Sequence, residues 1–455
     1  MYQPEDTIAA IATPAGAGGI GIIRLSGEKA FPLTRMFLAS GEPLARKRQI
    51  LFGKLKDPGT GELLDEGILL LMPKPHSYTA EDVVEFHVHG SPALLERLLG
   101  ALTALGARPA DAGEFTYRAF VHGRLDLTQA EAVETLVSAQ GDAARRQALR
   151  QLTGGLAAHL EPLEESLKSL YLKIEARLEF SEDGIPPLDK GKFAQEAAGV
   201  KEQLRKLVES YRQGKILRDG LTVALVGPPN VGKSSLLNAL LGTNRAIVTP
   251  LAGTTRDVVE GEIRLKGLRV RLFDTAGLRE AGNIVEEEGI RRSRQVIGEA
   301  DVIFWLVDAS NPRESLQELK AASLPSSRVW FLFNKQDLVK NGEPWRNSGL
   351  PLERCLPLSC QTGEGLAQVS GKIEEIAQTP ASGENVVLTS LRHQEEAQKA
   401  CKALESLEEI MAAGRPYELW AEELREAALA IGRIRGRDLP TAAFEDIFSK
   451  FCIGK

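Results

Sequence analysis

The spacing of apolar and polar residues divides the chain into regions of different character, and the first 118 residues combine short strands with turns. Apolar side chains dominate runs at residues 19–25, 67–72 and 83–89, and glycine and proline separate these runs, which predicts strands. One helix is predicted at residues 92–105. The region is therefore predicted to be an α+β domain.

Helical spacing dominates from residue 127 to about residue 213 and returns after residue 382. In the first stretch, Leu163, Leu167 and Leu170 recur at the interval that places side chains on one face of a helix. The second stretch has about 70 residues, too few for a substantial core of its own. We therefore expect it to pack against the first stretch and to form one helical domain with it.

Between the two helical stretches, strand patterns alternate with helical patterns. The strand patterns lie at residues 223–226, 270–273, 302–307 and 329–333, and this alternation predicts βαβ units on a mostly parallel sheet. The chain is thus predicted to be multidomain, with an α/β domain inserted into a helical domain. The predicted boundaries are 1–118 for the N-terminal domain, 119–216 and 382–455 for the helical domain, and 217–381 for the α/β domain.

The amino-acid composition argues against several classes of protein. The 455 residues are 43% apolar and 26% charged, with a net charge of −6, which argues against nucleic-acid binding by bulk positive charge. No apolar run approaches the ~20 residues of a membrane helix, and the first residues lack the basic and apolar segments of a signal peptide. The four cysteines have no C-x-x-C spacing. We expect a reduced, cytoplasmic protein without a membrane partner.

A phosphate-binding loop follows the first strand of the α/β region. Residues 227–234 read G-x-x-x-x-G-K-S between a strand pattern and a helix pattern, and backbone N–H groups of such a loop surround phosphate oxygens. Lys233 is predicted to reach the β and γ phosphates, and the Ser234 hydroxyl to bind Mg²⁺. The predicted nucleotide contacts in this segment are Asn230, Val231, Gly232, Lys233, Ser234 and Ser235.

Three further segments occur in the order expected of a GTPase of the Ras-like superfamily, to which this stretch is similar. Asp274 ends a strand near the Mg²⁺ shell, and the Thr255 hydroxyl completes that shell. Asp337 can accept hydrogen bonds from the ring N–H and amino group of guanine, whereas adenine would leave this acceptor unpaired, which selects GTP over ATP. The predicted contacts in these three segments are Thr254, Thr255, Asp274, Thr275, Ala276, Gly277, Asn334, Lys335 and Asp337. A fourth segment, with Ser359 and Cys360, follows a short strand and is predicted to close over the base.

The residue after the D-x-x-G segment departs from the Ras-like pattern. Ras-like enzymes usually orient the attacking water with a glutamine there, but this chain has Leu278, whose aliphatic side chain cannot position water. Another polar group must do so. The candidates are the acidic residues of the following segment, Glu280, Glu286, Glu287 and Glu288.

The loop at residues 246–257, together with Asn230, resembles the translation-factor-related bacterial GTPases that potassium activates. In that group the asparagine that matches Asn230 binds K⁺, and loop carbonyl groups complete the cage. A monovalent cation there stabilises charge on the β–γ bridge in place of an arginine finger. The resemblance implies K⁺ ligands at Asn230, Thr249, Leu251 and Thr254, and nucleotide contacts at Thr249, Pro250, Leu251, Ala252 and Gly253.

Motifs along the whole chain resemble the MnmE/TrmE family of tRNA modification GTPases. The motifs are D-T-I-A-A-I-A-T-P at residues 6–14, G-G-I-G-I-I-R-L-S-G at 18–27, S-Y-T-A-E-D-V-V-E at 77–85, G-E-F-T at 113–116, L-D-L-T-Q-A-E-A at 125–132 and F-C-I-G-K at 451–455.

The catalytic glutamate of this family follows a valine, so the resemblance implies that Glu286, after Val285, acts with Lys233 in catalysis.

The resemblance also implies partners and cofactors. The family acts with the flavoprotein MnmG, in a heterotetramer, on C5 of the wobble uridine (position 34) of certain tRNAs and introduces an aminomethyl or carboxymethylaminomethyl group. A reduced folate, 5-formyltetrahydrofolate or 5,10-methylenetetrahydrofolate, supplies the one-carbon unit on an N-terminal domain that also forms the homodimer. The folate contacts of the family fall on Arg24, Glu85, Arg124 and Lys455.

Some side chains have two interpretations. Cys452 is either a catalytic nucleophile or a small residue near the folate pocket. Glu85, His87 and His89 alternate along a strand and so share one face, which is either a metal site or, more commonly, a solvated face. Basic residues at 46–56 and 433–437 either contact tRNA phosphates or face solvent.

Two other functions share parts of this pattern. A ribosome-assembly GTPase with the same potassium loop would carry a basic RNA-binding domain after the GTPase domain, whereas this chain has an α+β region before it. A membrane ion-transport GTPase needs membrane spans, which the sequence lacks.

Overall fold

The computed structural model describes residues 6–39, 44, 47–179, 186–243, 261–265, 268–274, 296–322, 324, 326–339, 342–377 and 386–455. The chain folds into two compact units. The first contains Met1–Ser138, Ala148–Arg205 and Glu395–Lys455, and the second contains Ala139–Gln147 and Lys206–Gln394. The division of the first unit into an N-terminal and a helical domain stays a prediction.

The described part of the first unit contains a six-stranded sheet in the order β3-β4-β5-β2-β1-β6. Neighbouring strands are antiparallel, except that β1 and β6 are parallel. Along β2, Ile23 and Leu25 are buried in the core while Arg24 lies on the other face, as the two-residue period of a strand requires. The strands are β1 (Ile8–Ile11), β2 (Gly18–Ser26), β3 (Gln49–Lys56), β4 (Leu63–Met72), β5 (Val83–Gly90) and β6 (Arg108–Pro109).

Three helices accompany this sheet within the described residues. The second is the helix that the sequence predicts, and it buries Leu95, Leu98 and Leu102 in the same core as the sheet. The other two are not predicted, because eight residues complete only about two turns and give too few repeats to define a face. The helices are α1 (Ala30–Phe37), α2 (Pro92–Ala104) and α3 (Glu114–Val121).

Longer helices follow where the leucine spacing predicts them. Along α6, Leu160, Leu163, Leu167 and Leu170 are buried on one side, as expected for an amphipathic helix. The helices in this part of the chain are α4 (Leu127–Ser138), α5 (Asp142–Leu152), α6 (Gly155–Glu179), α7 (Lys190–Glu209) and α8 (Tyr211–Asp219).

The second unit is built on a sheet of six described strands in the order β12-β11-β10-β7-β9-β8. Its strands are parallel apart from β8, which is antiparallel to β9. All four predicted strands are observed, and β7 and β10 are almost wholly buried because a hydrophobic cluster covers each face of the sheet. The strands are β7 (Leu221–Val226), β8 (Gly261–Leu265), β9 (Leu268–Asp274), β10 (Val302–Asp308), β11 (Val329–Asn334) and β12 (Cys355–Pro357), and the accompanying helices are α9 (Lys233–Thr243), α10 (Pro312–Ala321) and α11 (Leu366–Ala377).

The C-terminal part of the chain is helical, as predicted, with α12 (Leu391–Ala412), α13 (Tyr417–Ile434) and α14 (Thr441–Phe448). Arg435, after α13, donates a 3.1 Å hydrogen bond to Glu164 of α6. This part of the chain therefore packs against the earlier helices, as its small size predicts. None of the described helices is long and apolar enough to cross a membrane.

A buried ion-pair network joins the beginning of the described chain to α3. The fully buried Arg118 donates hydrogen bonds to the carboxylates of Asp6, Glu81 and Glu114, and Arg108 pairs with Asp6 and Glu114. Burial would raise the pKa of Asp6, but the hydrogen bonds from Arg108 and Arg118 outweigh burial and lower it. The Asp6 carboxylate is therefore ionised at neutral pH.

We expect the substitution Arg118→Met to lower the free energy of unfolding by about 3–5 kcal/mol at neutral pH, because it leaves buried carboxylates unpaired. The control Arg97→Met removes a partly exposed pair with Glu62 and should cost at most about 1 kcal/mol. Carboxylates whose pKa is lowered in the folded protein stabilise the fold at pH values above their pKa in the unfolded chain. This stabilisation is lost as the pH falls through their pKa in the folded protein. The difference between the intact protein and Arg118→Met should therefore shrink below ~pH 4. Urea denaturation followed by circular dichroism measures both variants, and equal losses would contradict the prediction.

Candidate functional site

The first site lies at the carboxyl edge of the second sheet, where the loops that follow parallel strands meet. The loop after β7 begins at Gly227 with a φ of 149° and turns again at Gly232 with a φ of 103°. A Cβ at Gly227 would lie 2.7 Å from the carbonyl oxygen of Leu306 in β10, so this close approach requires glycine. Because α9 starts at Lys233, the predicted strand–loop–helix order is present.

The Lys233 side chain lies within this loop. Its Nζ donates hydrogen bonds of 2.9 Å to the carbonyl oxygens of Gly227 and Pro228, and the residue is only 8% exposed. An ammonium held in a glycine-containing loop at a helix N-terminus suits a phosphate ligand. Of the other predicted loop contacts, Val231 is buried, whereas Ser235 is exposed.

Ser234 and Asp274 form a pair beside the loop. The Ser234 hydroxyl donates a 2.7 Å hydrogen bond to Oδ2 of Asp274, the last residue of β9. Oδ1 of Asp274 is buried and has no hydrogen-bond partner among the described residues. Hydroxyl and carboxylate oxygens are ligands that Mg²⁺ prefers, so the residues present fit the predicted metal.

Asn334 connects the phosphate loop with the loop after β12. Its Nδ2 donates to the carbonyl oxygen of Val231 at 2.9 Å, and its Oδ1 accepts from the N–H of Cys360 at 3.1 Å. A Cβ at Gly232 would lie 2.2 Å from Asn334 Nδ2. The second glycine of the loop is therefore required by this contact as well as by its positive φ.

Asp337, the predicted guanine acceptor, lies in the turn after β11. Its Oδ1 accepts a 2.5 Å hydrogen bond from the Ser359 hydroxyl, and its side chain is exposed, so the carboxylate can accept further hydrogen bonds from a ligand. Burial raises the pKa of the neighbouring Cys360 to about 11. That thiol is therefore protonated at neutral pH and can line the site, but it is a poor nucleophile.

Asp308, at the end of β10, is a site residue that the sequence reasoning missed. Its carboxylate pairs with Lys335 Nζ at 2.5 Å, and Lys335 has a left-handed φ of 65°. Burial would raise the pKa of Asp308, but hydrogen bonds from Lys335 and Ser310 outweigh burial and lower it. Its signal in the sequence is the one that identified Asp274, a carboxylate at the end of a buried strand.

Other predicted residues of this site lie outside the described residues, so their roles stay predictions. They are Thr249, Pro250, Leu251, Ala252, Gly253, Thr254, Thr255, Thr275, Ala276, Gly277 and Glu286, with the alternatives Glu280, Glu287 and Glu288.

The second site lies in the first unit, on the face of the first sheet that carries Arg24. Arg24 of β2 and Glu85 of β5 are opposite each other, and Arg24 Nε lies 2.8 Å from Glu85 Oε1. Glu85 Oε2 lies 3.1 Å from Nε2 of His87. Burial would raise the pKa of Glu85, but the charge and hydrogen bond of Arg24 outweigh burial and lower it. The carboxylate is therefore ionised at neutral pH and can accept hydrogen bonds from ligand N–H groups.

The C-terminal residues reach this site. The carbonyl oxygen of Gly454 accepts a 3.2 Å hydrogen bond from Arg24, and Ile453 forms an antiparallel bridge with Ala112. A Cβ at Gly454, whose φ is 90°, would lie 2.6 Å from the carbonyl oxygen of Ile11. Lys455 follows Gly454 directly. Three of the four predicted folate contacts, Arg24, Glu85 and Lys455, therefore belong to this hydrogen-bonded group or lie next to it. The thiol of Cys452 is exposed.

Arg124, the fourth predicted contact, lies beside Tyr78. The Arg124 guanidinium is 4.9 Å from the centre of the Tyr78 ring, and that of Arg24 is 5.3 Å from the same ring. The Tyr78 hydroxyl lies 2.9 Å from the Thr116 hydroxyl, and burial raises the pKa of Tyr78. Tyr78 therefore links two predicted ligand residues, although the sequence reasoning gave it no role.

The interpretation of Glu85, His87 and His89 as a metal site gains little support from the structure. No group of three or more His, Cys, Asp or Glu side chains that could hold a metal ion occurs in the part of the chain that is described. His89 pairs with Asp65 at 2.8 Å instead of joining Glu85 and His87.

The basic residues at 433–437 have acidic neighbours. Arg435 and Arg437 both pair with Glu164, and Arg433 pairs with Glu426 at 3.3 Å. These pairs offset much of the positive charge that a tRNA phosphate would meet.

Two family models match the chain. The model described as the GTP-binding protein TrmE N-terminus matches residues 7–124, and the model described as the MnmE helical domain matches residues 127–452. The second alone spans more than half of the chain.

Relatives match over the full length. The tRNA modification GTPase MnmE of Synechococcus elongatus is 41% identical over 474 aligned residues and is covered completely, as is this chain. That of Aquifex aeolicus is 42% identical over 455 residues, with 99% of this chain and 100% of the relative covered. Among solved structures, the G domain of the T. maritima FeoB iron transporter is 32% identical and covers 35% of this chain and 99% of that domain, with a TM-score of 0.28. The two family models and the full-length relatives together establish that the chain belongs to the MnmE/TrmE family of tRNA modification GTPases.

Proposed function

We propose that this protein is a potassium-stimulated GTPase that acts with the flavoprotein MnmG on C5 of the wobble uridine of certain tRNAs, with a reduced folate as one-carbon donor. The observation that carries the proposal is that two sites occur in one chain that matches MnmE relatives over its full length. One is a phosphate loop near the exposed Asp337, and the other is the Arg24–Glu85 pair beside Gly454. A ribosome-assembly GTPase would use only the first.

The GTPase chemistry is proposed from the first site and from the family resemblance. Lys233 binds the β and γ phosphates, and Asp337 accepts the ring N–H and amino group of guanine. Ser234 and Thr255 hold Mg²⁺, which neutralises charge on the phosphates when it is bound. Leu278 cannot orient the attacking water, and we assign this role to Glu286 because the catalytic glutamate of the family follows a valine, as Glu286 follows Val285.

Potassium stimulation is proposed from the resemblance and from Asn230. Asn230 has a left-handed φ of 60° and an exposed side chain, a conformation that asparagine tolerates better than most residues. Its amide oxygen is thus available as a hard ligand for a monovalent cation. Thr249, Leu251 and Thr254 are the proposed additional ligands.

Folate binding is proposed for the second site. The ionised Glu85 can accept hydrogen bonds from the amino-bearing pterin ring, and the cations Arg24, Arg124 and Lys455 can bind the carboxylates of the glutamyl tail. When bound, the reduced folate supplies the one-carbon unit. The exposed Cys452 thiol remains either a nucleophile or a small lining residue.

A homodimer is supported by exposed apolar residues on the face of the first sheet that carries Arg24. Phe52 of β3 is opposite Ile68 of β4, and Ile68 is opposite His87 of β5. Residues that are opposite each other on neighbouring strands point to the same face of the sheet, so these three side chains lie on the face that carries Glu85 and Arg24. Phe52 is 72% exposed and Ile68 is 41% exposed. A second copy seated there would bury these side chains and cover the folate residues. We place this dimer in the cytoplasm, where it joins MnmG in a heterotetramer and binds tRNA.

The first prediction from the proposed function concerns potassium. GTP hydrolysis should be faster in K⁺ than in Na⁺ at equal ionic strength, because the proposed cage suits the larger ion. Asn230→Ala should remove the difference and leave binding of a fluorescent GTP analogue largely intact. The control Asn238→Ala, on the exposed side of α9, should retain the difference. Equal turnover of the intact protein in both salts would contradict the proposed cage.

The second prediction concerns the water-orienting residue. Glu286→Ala should lower kcat for GTP by ~10²–10⁴-fold, the usual loss when a positioned proton acceptor is removed, with nucleotide affinity unchanged. Glu287→Ala is the matched control and should retain most of the rate. A larger loss in the control, measured in the same phosphate-release assay, would transfer the role to Glu287.

The third prediction concerns folate. At 100 times its Kd, 5-formyltetrahydrofolate should stabilise the intact protein by about 2.7 kcal/mol, which a thermal shift detects. Arg24→Gln should remove most of this shift, whereas Arg97→Gln, on the partly exposed side of α2, should retain it. GTP hydrolysis should be unchanged in both variants. A full shift in Arg24→Gln would mean that folate binds elsewhere or not through this cation.

A further inference from the structure

A cavity of about 370 Å³ lies in the first unit between α3 and α14. Small-molecule sites typically occupy ~300–1,000 Å³, so the cavity can hold a compact ligand. Tyr117, Phe444 and Phe448 line it, and the Tyr117 ring lies 5.1 Å from that of Phe448 and 6.3 Å from that of Phe444. The cavity therefore has an aromatic wall.

This cavity is separate from the proposed folate site. The residues of α3 that face Arg24 and Tyr78 are Phe115 and Thr116, whereas Glu114 and Tyr117 line the cavity. Residues three apart share one side of a helix, so the cavity lies on another side of α3.

The charged residues around the cavity are acidic. Asp111, Glu114 and Glu445 line it, and its described lining contains no lysine or arginine. Glu445 and Tyr117 both line the cavity, and burial, followed by the charge of Glu445, raises the pKa of Tyr117. The nearby Arg108 pairs with Asp6, Asp111 and Glu114, and Arg118 also pairs with Glu114. Among the described residues, Glu445 is therefore the lining carboxylate without an ion pair.

We propose that this cavity binds an alkylguanidinium cation. A planar guanidinium can stack on an aromatic face and at the same time pair with a carboxylate through two hydrogen bonds, whereas a compact ammonium cannot stack in this way. The cation is either a small free molecule or an arginine side chain that a partner protein presents. Glu445 provides the proposed carboxylate, and Tyr117 and Phe444 provide the aromatic faces.

The cavity lies beside the C-terminal residues. The N–H of Gly113 donates to the carbonyl oxygen of Cys452 at 3.4 Å, and a Cβ at Gly113 would lie 2.6 Å from the carbonyl oxygen of Phe448. Phe448 and Ala112 both line the cavity, and Ala112 forms the bridge with Ile453, so the cavity adjoins the segment that carries Cys452.

Isothermal titration of the full-length protein with agmatine, N-acetylarginine amide and hexylamine tests the proposal. At least one guanidinium compound should bind, and hexylamine should bind at least about 10-fold more weakly. Binding of agmatine alone would assign the site to a small free cation, whereas binding of N-acetylarginine amide would assign it to an arginine side chain.

Two variants locate the site. Glu445→Gln should weaken guanidinium binding about 10-fold, because it replaces a charge-assisted pair with a neutral one. The matched control Asp446→Asn should bind normally, since Asp446 pairs with Lys450 at 2.8 Å and does not line the cavity. The proposal is overturned if neither guanidinium compound binds, if hexylamine binds equally well, or if both variants weaken binding to the same extent.

Discussion

The contact between the C-terminal residues and the first sheet is the constraint on which the proposed folate site depends. Gly454 fits against the carbonyl oxygen of Ile11 only because it lacks a side chain, and its own carbonyl oxygen accepts a hydrogen bond from Arg24. Since Arg24 also pairs with Glu85, one arginine connects two strands with the end of the described chain. The C-terminal residues must therefore reach this sheet for the proposed folate site to be complete.

The second unit has a comparable constraint at the carboxyl edge of its sheet. Asn334 lies so close to Gly232 that the phosphate loop and the loop that carries Cys360 are held by one side chain. The residues proposed for GTP and those proposed for folate thus belong to different units, each fixed by its own close contact with a glycine. Coupling between them requires an element with two arrangements that both ligands bias, and neither contact alone constitutes such an element.

Sequence patterns predicted those features that depend on local spacing. The phosphate loop and the four parallel strands were predicted because phosphate geometry and sheet burial each impose a fixed pattern on neighbouring residues. The helices α1 and α3 were not, because each is only eight residues long. The position of Tyr78 depends on a partner distant in the chain, Arg124, which no local pattern reveals. Asp308 carries a local signal, a carboxylate at the end of a buried strand, but its pairing with Lys335 is not visible in the sequence. The proximity of Lys455 to Arg24 was expected only from the family resemblance.

The central claim is that the C-terminal residues serve tRNA modification and not GTP hydrolysis. The most direct measurement is to delete residues 452–455 and to compare GTP hydrolysis in K⁺, folate binding and wobble-uridine modification with MnmG and purified tRNA. The account predicts near-normal GTP hydrolysis, weakened folate binding and loss of modification. Modification at the intact rate, or an equal loss of GTP hydrolysis, would contradict it.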